Sequence, residues 1–570
     1  MRNAVLEICG RMQPDSEEEL LGAVQALLSL CYQTPLPRSE VPANFFNKLK
    51  RVADSCFGID TTSQHSYFVS EYKHAFQVDF LGHHGRTLQN VNQLAERLKK
   101  WLKVLKSKVE KMPKSIRIEE ISRFLAEFTA DGDIEIPGQY VEYSEPNLEQ
   151  HERLHSFGRE VRVLLKHGFF CRGITMRSME GREHQFTVHY SMPQNIRMEE
   201  RINQFFRITN WWLRKHPETM RRSLELQVPV MVPLSPMVRL LEDNTSFVTL
   251  TYVYEQHCLK YGREPEQPIL LTQRILSEAT SENLAMAQLR AYKEVIAHLV
   301  NEHMLSLYML RTLRDPNHLW SVKRTMLHHM AEFAFLGYIL GVGDRKPDNI
   351  SFCRATGVVS HSEFFPTYNQ KDKWGEIDLS TTENLVAFRL TRNIQSLLAP
   401  QIVDALFADV FTCMAQCLTE PRVLLQNYFS VFTRDEYIAL SQKRSRETPS
   451  DEAINGKMRA NVDYIMTRLL HLSPHLSAGS GASNGGNAAV MRTANGGSAN
   501  ANGSAASGVP LQSSSSASMG RSEFPPDISD PIDKRARDLI TKHPAFNGSV
   551  KCTSTGILGT SCSMKAAYHG

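Results

Sequence analysis

The stretch G-V-G-D-R-K-P-D-N-I, residues 341–350, decides the fold, and E-I-D-L-S follows it at residues 376–380. These two segments supply two carboxylates and an amide, from Asp344, Asn349 and Asp378. Side-chain oxygens of this kind suit a hard cation such as Mg²⁺. Phosphoryl transfer needs metal ligands and a residue that places the acceptor hydroxyl, and it needs little other help from the protein. The two segments therefore offer side chains of the kind that could hold a hard cation and orient a hydroxyl group.

Together with F-R-L-T at residues 388–391, the motif resembles the active-site loops of the phosphatidylinositol 3-kinase-related kinase (PIKK) family. The resemblance implies that Asp344 orients the acceptor hydroxyl and that Asn349 and Asp378 hold magnesium. It also implies an α+β, two-lobed PI3K/PIKK-type kinase fold. In that fold a small β-rich N-lobe precedes a large helical C-lobe, and a helical region resembling the end of a FAT solenoid precedes both.

Several positions differ from those of active family members. Lys346 stands where active relatives carry His, and Ser380 stands where they carry Gly. His189 aligns with the phosphate-binding Lys, and a His that is mostly neutral at pH 7 replaces a fixed ammonium poorly. Arg239 and Asp243 take the places of a Gly and of the Trp that stacks on adenine. These changes predict a kinase fold that has lost its chemistry.

The remaining candidate cofactor-binding residues lie in two further segments. Glu199 occupies the position of the acidic partner of the phosphate-binding cation, and Glu242 precedes Asp243 in the adenine hinge.

An insertion around residues 360–373 lengthens the interval between Asp344 and Asp378. The short interval between Asp378 and residue 388 leaves little chain for a substrate platform.

Composition excludes several classes of function. The 570 residues are 42% hydrophobic and 22% charged with a net charge of +4, which gives no whole-chain reason to expect nucleic-acid or membrane binding. No 18-residue apolar window and no signal peptide are evident, and the scattered cysteines favour a reducing compartment. Cys413 and Cys417 lie four residues apart, which fits a buried helix face better than a zinc site.

Hydrophobic periodicity divides the chain into five predicted regions. These are a helical region at 1–130, the N-lobe at 131–255, the C-lobe at 256–475, a Gly/Ser/Ala/Asn linker at 476–525, and a tail at 526–570 without a recognisable FATC segment. Helices are predicted at 18–30, 44–57, 88–109, 118–128, 198–213, 282–311, 318–340, 401–418 and 461–470. Strands are predicted at 161–165, 173–177, 185–190, 227–232 and 247–253.

The hinge S-P-x-x-R-L-x-E-D-N at 235–244 and I-P-G at 136–138 resemble the pseudokinase branch of the PIKK family most closely. That resemblance implies an inactive scaffold subunit of SAGA-type histone acetyltransferase complexes, which links them to transcription activators in the nucleus. It implies protein partners, no direct nucleic-acid or membrane binding, and no cofactor. One alternative is a nucleotide-binding or active protein or lipid kinase that uses Mg-ATP with Asp344, Asn349 and Asp378. Another is that these acids are relics satisfied by local contacts.

Overall fold

The computed structural model describes residues 1–33, 41, 43–58, 66–81, 88, 90–130, 132–140, 145–166, 169–191, 193–279, 283–342, 345–366, 388–399, 403–444 and 450–472. Within this part of the chain the buried apolar side chains form three main clusters. They correspond to an N-terminal helical bundle, a small lobe built on a sheet, and a large helical lobe. None of the described helices combines the length and apolarity needed to cross a bilayer.

The N-terminal bundle is assembled from long amphipathic helices. They are α2 (Ser16–Gln33), α3 (Ala43–Phe57), α4 (Ser66–Phe80) and α5 (Val91–Val109), preceded by α1 (Arg2–Arg11). The predicted helices at 18–30, 44–57 and 88–109 match α2, α3 and α5. The core is aromatic: the Trp101 ring meets Phe76 edge-on at 5.5 Å and Phe80 at 5.8 Å. Tyr72, Phe76 and Phe80 recur at four-residue spacing, so α4 had the expected helical signal although it was not predicted.

The small lobe is a seven-stranded antiparallel sheet with the order β1-β3-β4-β5-β7-β6, and β2 pairs with β4. Its strands are β1 (Ser115–Arg117), β2 (Leu154–Phe157), β3 (Glu160–Lys166), β4 (Phe169–Ser178), β5 (Glu183–Tyr190), β6 (Met231–Ser235) and β7 (Val238–Glu242). The strands predicted at 161–165, 173–177 and 185–190 match β3, β4 and β5, whereas β6 begins four residues later than predicted. Two short helices, α6 (Ile118–Ile121) and α7 (Arg123–Ala126), replace the single helix predicted at 118–128.

The two faces of this sheet have different characters because side chains alternate along each strand. Phe186 and Val188 of β5 and Leu240 of β7 lie on the apolar face, which is covered by Ile8 of α1 and its neighbours. The intervening residues of β5 and β7 are mainly polar: Gln185, Thr187, His189, Arg239 and Asp243. The polar face is therefore the one that carries the candidate site.

The large lobe is mostly helical and is organised around one buried helix. That helix, α14 (Pro316–Leu340), begins at the Asp315 cap and ends at Gly341, whose φ of 62° is the left-handed conformation usual at helix ends. The other helices are α8 (Pro193–Lys215), α9 (Pro217–Arg221), α10 (Leu250–Lys260), α11 (Gln267–Ser277), α12 (Leu284–His298), α13 (Met304–Thr312), α15 (Arg392–Leu398), α16 (Val403–Thr419), α17 (Arg422–Arg444) and α18 (Asp451–His471).

A small antiparallel sheet completes the large lobe beside the catalytic loop. It has the order β10-β9-β8 and contains β8 (Phe247–Thr249), β9 (Ile350–Cys353) and β10 (Val359–His361). The strand predicted at 247–253 stops at Thr249, where α10 begins, and the helix predicted at 282–311 is broken into α12 and α13. Cys413 and Cys417 are buried on one face of α16, as their spacing predicts.

A buried ion pair joins the bundle to the small lobe. Arg172 of β4 and Glu18 of α2 are 2% and 1% exposed, and their Nη2 and Oε2 atoms lie 2.8 Å apart. A second contact of 3.2 Å, from Arg172 Nη1 to Glu18 Oε1, makes the pair bidentate. Paired geometry of this kind is what allows two charges to be buried together.

Candidate functional site

The catalytic loop begins where α14 ends at Gly341. Gly343, Asp344 and Asp378 lie outside the described residues, so the predicted roles of Asp344 and Asp378 stay predictions. The loop continues with Lys346, which precedes a 3-10 turn over Pro347–Asn349. Asn349 is 6% exposed and its backbone N–H donates to the Lys346 carbonyl at 3.0 Å. The predicted metal ligand Asn349 therefore has a fixed, buried position.

Glu363 is the carboxylate that contacts Asn349. Its Oε2 accepts from the Asn349 side-chain amide at 3.1 Å, and the neighbouring Ser362 N–H donates to the Asn349 carbonyl at 2.9 Å. The β9–β10 hairpin brings Glu363 back beside Asn349, because β10 ends at His361, which pairs with Ile350, two residues before Glu363. Asn349 and Glu363 are the described side chains that could hold a magnesium ion, through an amide oxygen and a carboxylate.

The sequence analysis did not identify Glu363 as a site residue, although the sequence contains a hairpin pattern that could have placed it there. Apolar residues of I-S-F-C at 350–353 and V-V-S-H at 358–361 flank an Ala-Thr-Gly turn at 355–357, which is a hairpin pattern. Gly357 has a φ of 78°, and a Cβ there would lie 2.3 Å from the Val322 carbonyl oxygen. The region treated as an insertion from 360 thus begins with a strand that returns the chain to the catalytic loop.

The last residue of this hairpin, His361, packs against the large lobe as a neutral side chain. His361 is half-buried and stacks on Phe333, with ring centroids 4.3 Å apart. Burial, with a smaller contribution from the Arg345 charge, lowers the pKa of His361 to about 3. The imidazole is therefore uncharged at neutral pH, and it contributes packing rather than charge to the site.

On the small-lobe side, the cation at the cleft is Arg239. His189, the residue at the predicted lysine position, is buried on β5 and its Nε2 lies 3.1 Å from Thr187 Oγ1. Arg239 stands directly opposite His189 on β7 and forms an ion pair with Glu199 of α8. Glu199, predicted as the acidic partner of a cation on β5, thus pairs with a cation from the neighbouring strand. Burial lowers the pKa of Arg239 to about 10, which keeps it charged at neutral pH.

Ion pairs join the predicted adenine hinge, at the end of β7, to strand β3 of the same sheet. Asp243 is 8% exposed and accepts from Arg162 Nη2 of β3 at 2.9 Å, and it also forms an ion pair with Lys166. Arg162 reaches across β4 because Gly173 lies beneath it: a Cβ at Gly173 would be 3.2 Å from Arg162 Nε. The other predicted hinge residue, Glu242, is exposed at the end of β7.

This architecture and these loops are those of a lipid- and protein-kinase fold. The family model described as "Phosphatidylinositol 3- and 4-kinase" matches residues 185–442, so the chain carries a domain of that family. The structure titled "Structure of the open conformation of CtTel1" resembles this chain with a TM-score of 0.50 at 16% identity, covering 78% of this chain and 17% of that one. The predicted α+β, two-lobed PIKK-type fold is confirmed.

Within that class the sequence is TRRAP-like. It is 27% identical to "SAGA complex/NuA4 acetyltransferase complex subunit Tra1" of Schizosaccharomyces pombe, over 66% of this chain and 11% of that protein. It is 28% identical to "Transformation/transcription domain-associated protein" of Homo sapiens, over 67% and 10% respectively. For Saccharomyces cerevisiae TRA1 the identity is 25%, over 84% and 13%. The chain therefore spans about a tenth of the length of these relatives.

Proposed function

We propose that the chain is a catalytically inactive scaffold of the PIKK type. The observation that carries the proposal is that the hinge position expected to stack on adenine is occupied by a carboxylate engaged in internal ion pairs. That residue, Asp243, is bound by Arg162 and Lys166. A nucleotide would have to displace these pairs, and breaking a buried pair leaves an uncompensated charge. The fold therefore serves as a rigid surface rather than as a catalytic cleft.

The names of the similar proteins support a proposal for the binding partners of this chain. Tra1 proteins are named as subunits of SAGA and NuA4 acetyltransferase complexes, which makes protein subunits of a large transcription coactivator complex the proposed partners. We extend this to a role in linking such a complex to transcription activators, in the nucleus. No cofactor is part of this proposal.

A second candidate, nucleotide binding, is favoured by one observation. The Arg239–Glu199 pair restores a cation and an acid in the cleft, and Asn349 with Glu363 could provide oxygen ligands for Mg²⁺. Asp344 and Asp378 would complete such a site. Arg is a poor equivalent of Lys at a phosphate, because its planar fork binds in a different geometry.

Thermal unfolding of the full chain with millimolar Mg-ATP tests the proposal. A ligand at 100 times its Kd would stabilise the fold by about 2.7 kcal/mol, which is readily visible as a higher Tm. We expect no shift, and we expect Asp378→Ala to behave like the wild type. A shift that Asp378→Ala abolishes would contradict the proposal and establish a working metal-nucleotide site.

A further inference from the structure

We propose that the surface groove between α13, α14 and α15 is a binding site for an acidic, apolar peptide, and that residues 523–533 of this chain are its occupant. The segment has the sequence E-F-P-P-D-I-S-D-P-I-D and lies outside the described residues. The inference goes beyond the proposed function, because it concerns other residues than those of the ATP cleft and does not depend on what that cleft binds.

The groove is an open cavity of about 620 Å³ with exposed apolar side chains around it. Its lining includes Glu302, Leu307, Leu310, Lys323, Arg392 and Gln395. Leu310 of α13 is 56% exposed in this wall. Trp320 of α14 is also 56% exposed, and it lies one turn before Lys323 on the same helix face. Apolar side chains exposed around a cavity are typical of a surface that binds a partner.

The charge of the groove is positive. Its ionised lining residues are Lys323, Arg392 and Glu302, and Glu302 is already paired with Arg392. Lys323 donates from Nζ to the Ala399 carbonyl at 3.0 Å, and it has no carboxylate at ion-pair distance in the described part of the chain. Burial lowers the pKa of Lys323, because its ammonium group has lost part of its water. A carboxylate placed at Lys323 would supply the missing counter-charge.

Further hydrogen-bonding groups lie beside this ammonium group. Gln395 of α15 lines the groove, and its Nε2 is buried without an acceptor among the residues that the structure describes. Next to it, Ser396 Oγ lies 2.6 Å from His303 Nδ1 and 3.5 Å from Ser306 Oγ. A buried donor without an acceptor is costly, and a carboxylate accepts from amide, hydroxyl and ammonium donors. The groove therefore suits the side chain of Asp or Glu.

Residues 523–533 match this surface in charge and in apolar content. The segment contains four of the five acidic residues that follow residue 472, and it contains no Lys or Arg. Its apolar side chains, Phe524, Ile528 and Ile532, recur at every fourth position between the acids. Three prolines fix part of its backbone, which reduces the conformational entropy lost on binding.

The chain between α18 and this segment is long enough to reach the groove. Arg468 of α18 donates from Nη1 to the Tyr338 carbonyl at 2.5 Å, and Tyr338 follows Lys323 on α14 by about 22 Å along the helix. Residues 473–522 are mainly Gly, Ser, Ala and Asn, and a flexible chain of this length has a root-mean-square span of about 40 Å. Such a tether gives an effective concentration on the order of 1 mM, so a weak motif suffices.

Hydrogen–deuterium exchange of the full chain tests the docking. Asp527→Asn/Asp530→Asn removes two charges of the segment, and we expect amides of α13 and α15 to exchange about tenfold faster than in the wild type. That factor corresponds to a Kd of about 100 µM at this effective concentration. Lys323→Glu should have the same effect. The matched controls are Asp538→Asn, outside the segment, and Lys293→Glu, exposed on α12, and both should behave like the wild type.

An exchange of charges separates docking from local damage at Lys323. Asp527→Lys/Asp530→Lys alone should lose the protection of α13 and α15, and its combination with Lys323→Glu should recover it. A synthetic peptide of residues 523–533 provides a second measurement. It should bind the Asp527→Asn/Asp530→Asn chain about tenfold more tightly than the wild type, where the groove is already occupied.

Two results would overturn the proposal. They are wild-type exchange in Asp527→Asn/Asp530→Asn, and a peptide affinity that Lys323→Glu does not change. Protection that rises with protein concentration would overturn docking within one chain and identify the segment of a second copy as the occupant. A Tm shift with Mg-ATP would contradict the scaffold function alone, because the groove variants leave the residues of the cleft unchanged.

Discussion

Glu332 is a carboxyl group buried in the large lobe on α14. It is 0% exposed, and its Oε1 accepts from the Glu225 N–H at 3.3 Å. Burial raises the pKa of Glu332 to about 8, so the side chain is largely protonated at neutral pH. The lobe core therefore holds a neutral acid, which avoids the large cost of an unpaired buried charge.

We predict that Glu332→Gln changes how stability depends on pH. In the wild type the folded state retains this proton between the unfolded pKa, near 4.5, and about 8, so the free energy of unfolding falls as pH rises across that window. The slope from this group is at most about 1.4 kcal/mol per pH unit. Glutamine keeps the hydrogen bond and cannot ionise.

Urea unfolding at pH 5.5, 7.0 and 8.5 measures the effect as the difference between the two proteins. The variant should gain stability relative to the wild type with each step upward in pH. Parallel pH profiles would show that Glu332 does not titrate in the folded state in this range.

At the residue scale the sequence located some site residues and missed others for a clear reason. Asn349, His189 and Glu199 were identified from local motifs, and Glu199 lies beside a cation of the cleft. That cation is Arg239, which the sequence singled out only as a changed hinge position, and the carboxylate that contacts Asn349 is Glu363, which the sequence analysis did not name. Both contacts depend on strand pairing, which a linear motif does not contain.

Helices were predictable where the local signals agree. In α14 the apolar pattern, the cap at Asp315 and the end at Gly341 all indicate the same helix. Periodicity missed the break at 299–303, where Leu299 and Val300 are followed by three polar residues between α12 and α13. It also fails at residues 247–253, where β8 passes into α10 at Thr249, whose hydroxyl accepts from the Tyr252 N–H. Capping there ends the strand earlier than hydrophobicity suggests.

The contact between α2 and β4 depends on Glu18, and we predict that Glu18→Ala destabilises the fold by about 3–5 kcal/mol. The reason is that Arg172, 2% exposed, would be left as an uncompensated buried charge. The double variant Glu18→Met/Arg172→Met removes both charges and should recover most of the loss. Asp15→Ala is the control, because Asp15 is 54% exposed and 3.4 Å from Arg172.

Chemical denaturation measured by circular dichroism gives these differences directly. If the double variant is as unstable as Glu18→Ala, the pair contributes net stability rather than merely satisfying a buried arginine. If Glu18→Ala is close to the wild type, the side chain of Arg172 can reach water, and the two elements are joined mainly by apolar packing.

At the scale of the whole molecule, the helical bundle before the kinase fold packs against both lobes of that fold. Ile269 of α11 packs into the bundle cluster, so the bundle contacts the large lobe as well as the small one. α1 lies apart from the bundle and covers the apolar face of the small-lobe sheet. Tyr190 of β5 donates to the carbonyl oxygens of Ile8 and Cys9 at 3.0 and 2.9 Å. These contacts could not be predicted from the sequence. An apolar helix face shows that a helix packs against something, but it does not show which surface it packs against.

The contact between α1 and the sheet leads to the last prediction, Ile8→Ala. Ile8 is 2% exposed among Val188 and its neighbours, so truncation should cost about 2–5 kcal/mol of stability. The loss should appear first as faster amide exchange in β5 and β7, since α1 covers those strands, with the bundle helices less affected. Leu6→Ala is the matched control, because Leu6 is 60% exposed on the same helix. Equal effects of the two substitutions would mean that α1 does not stay on the sheet in solution, and the small lobe would then have to keep its apolar face covered by other means.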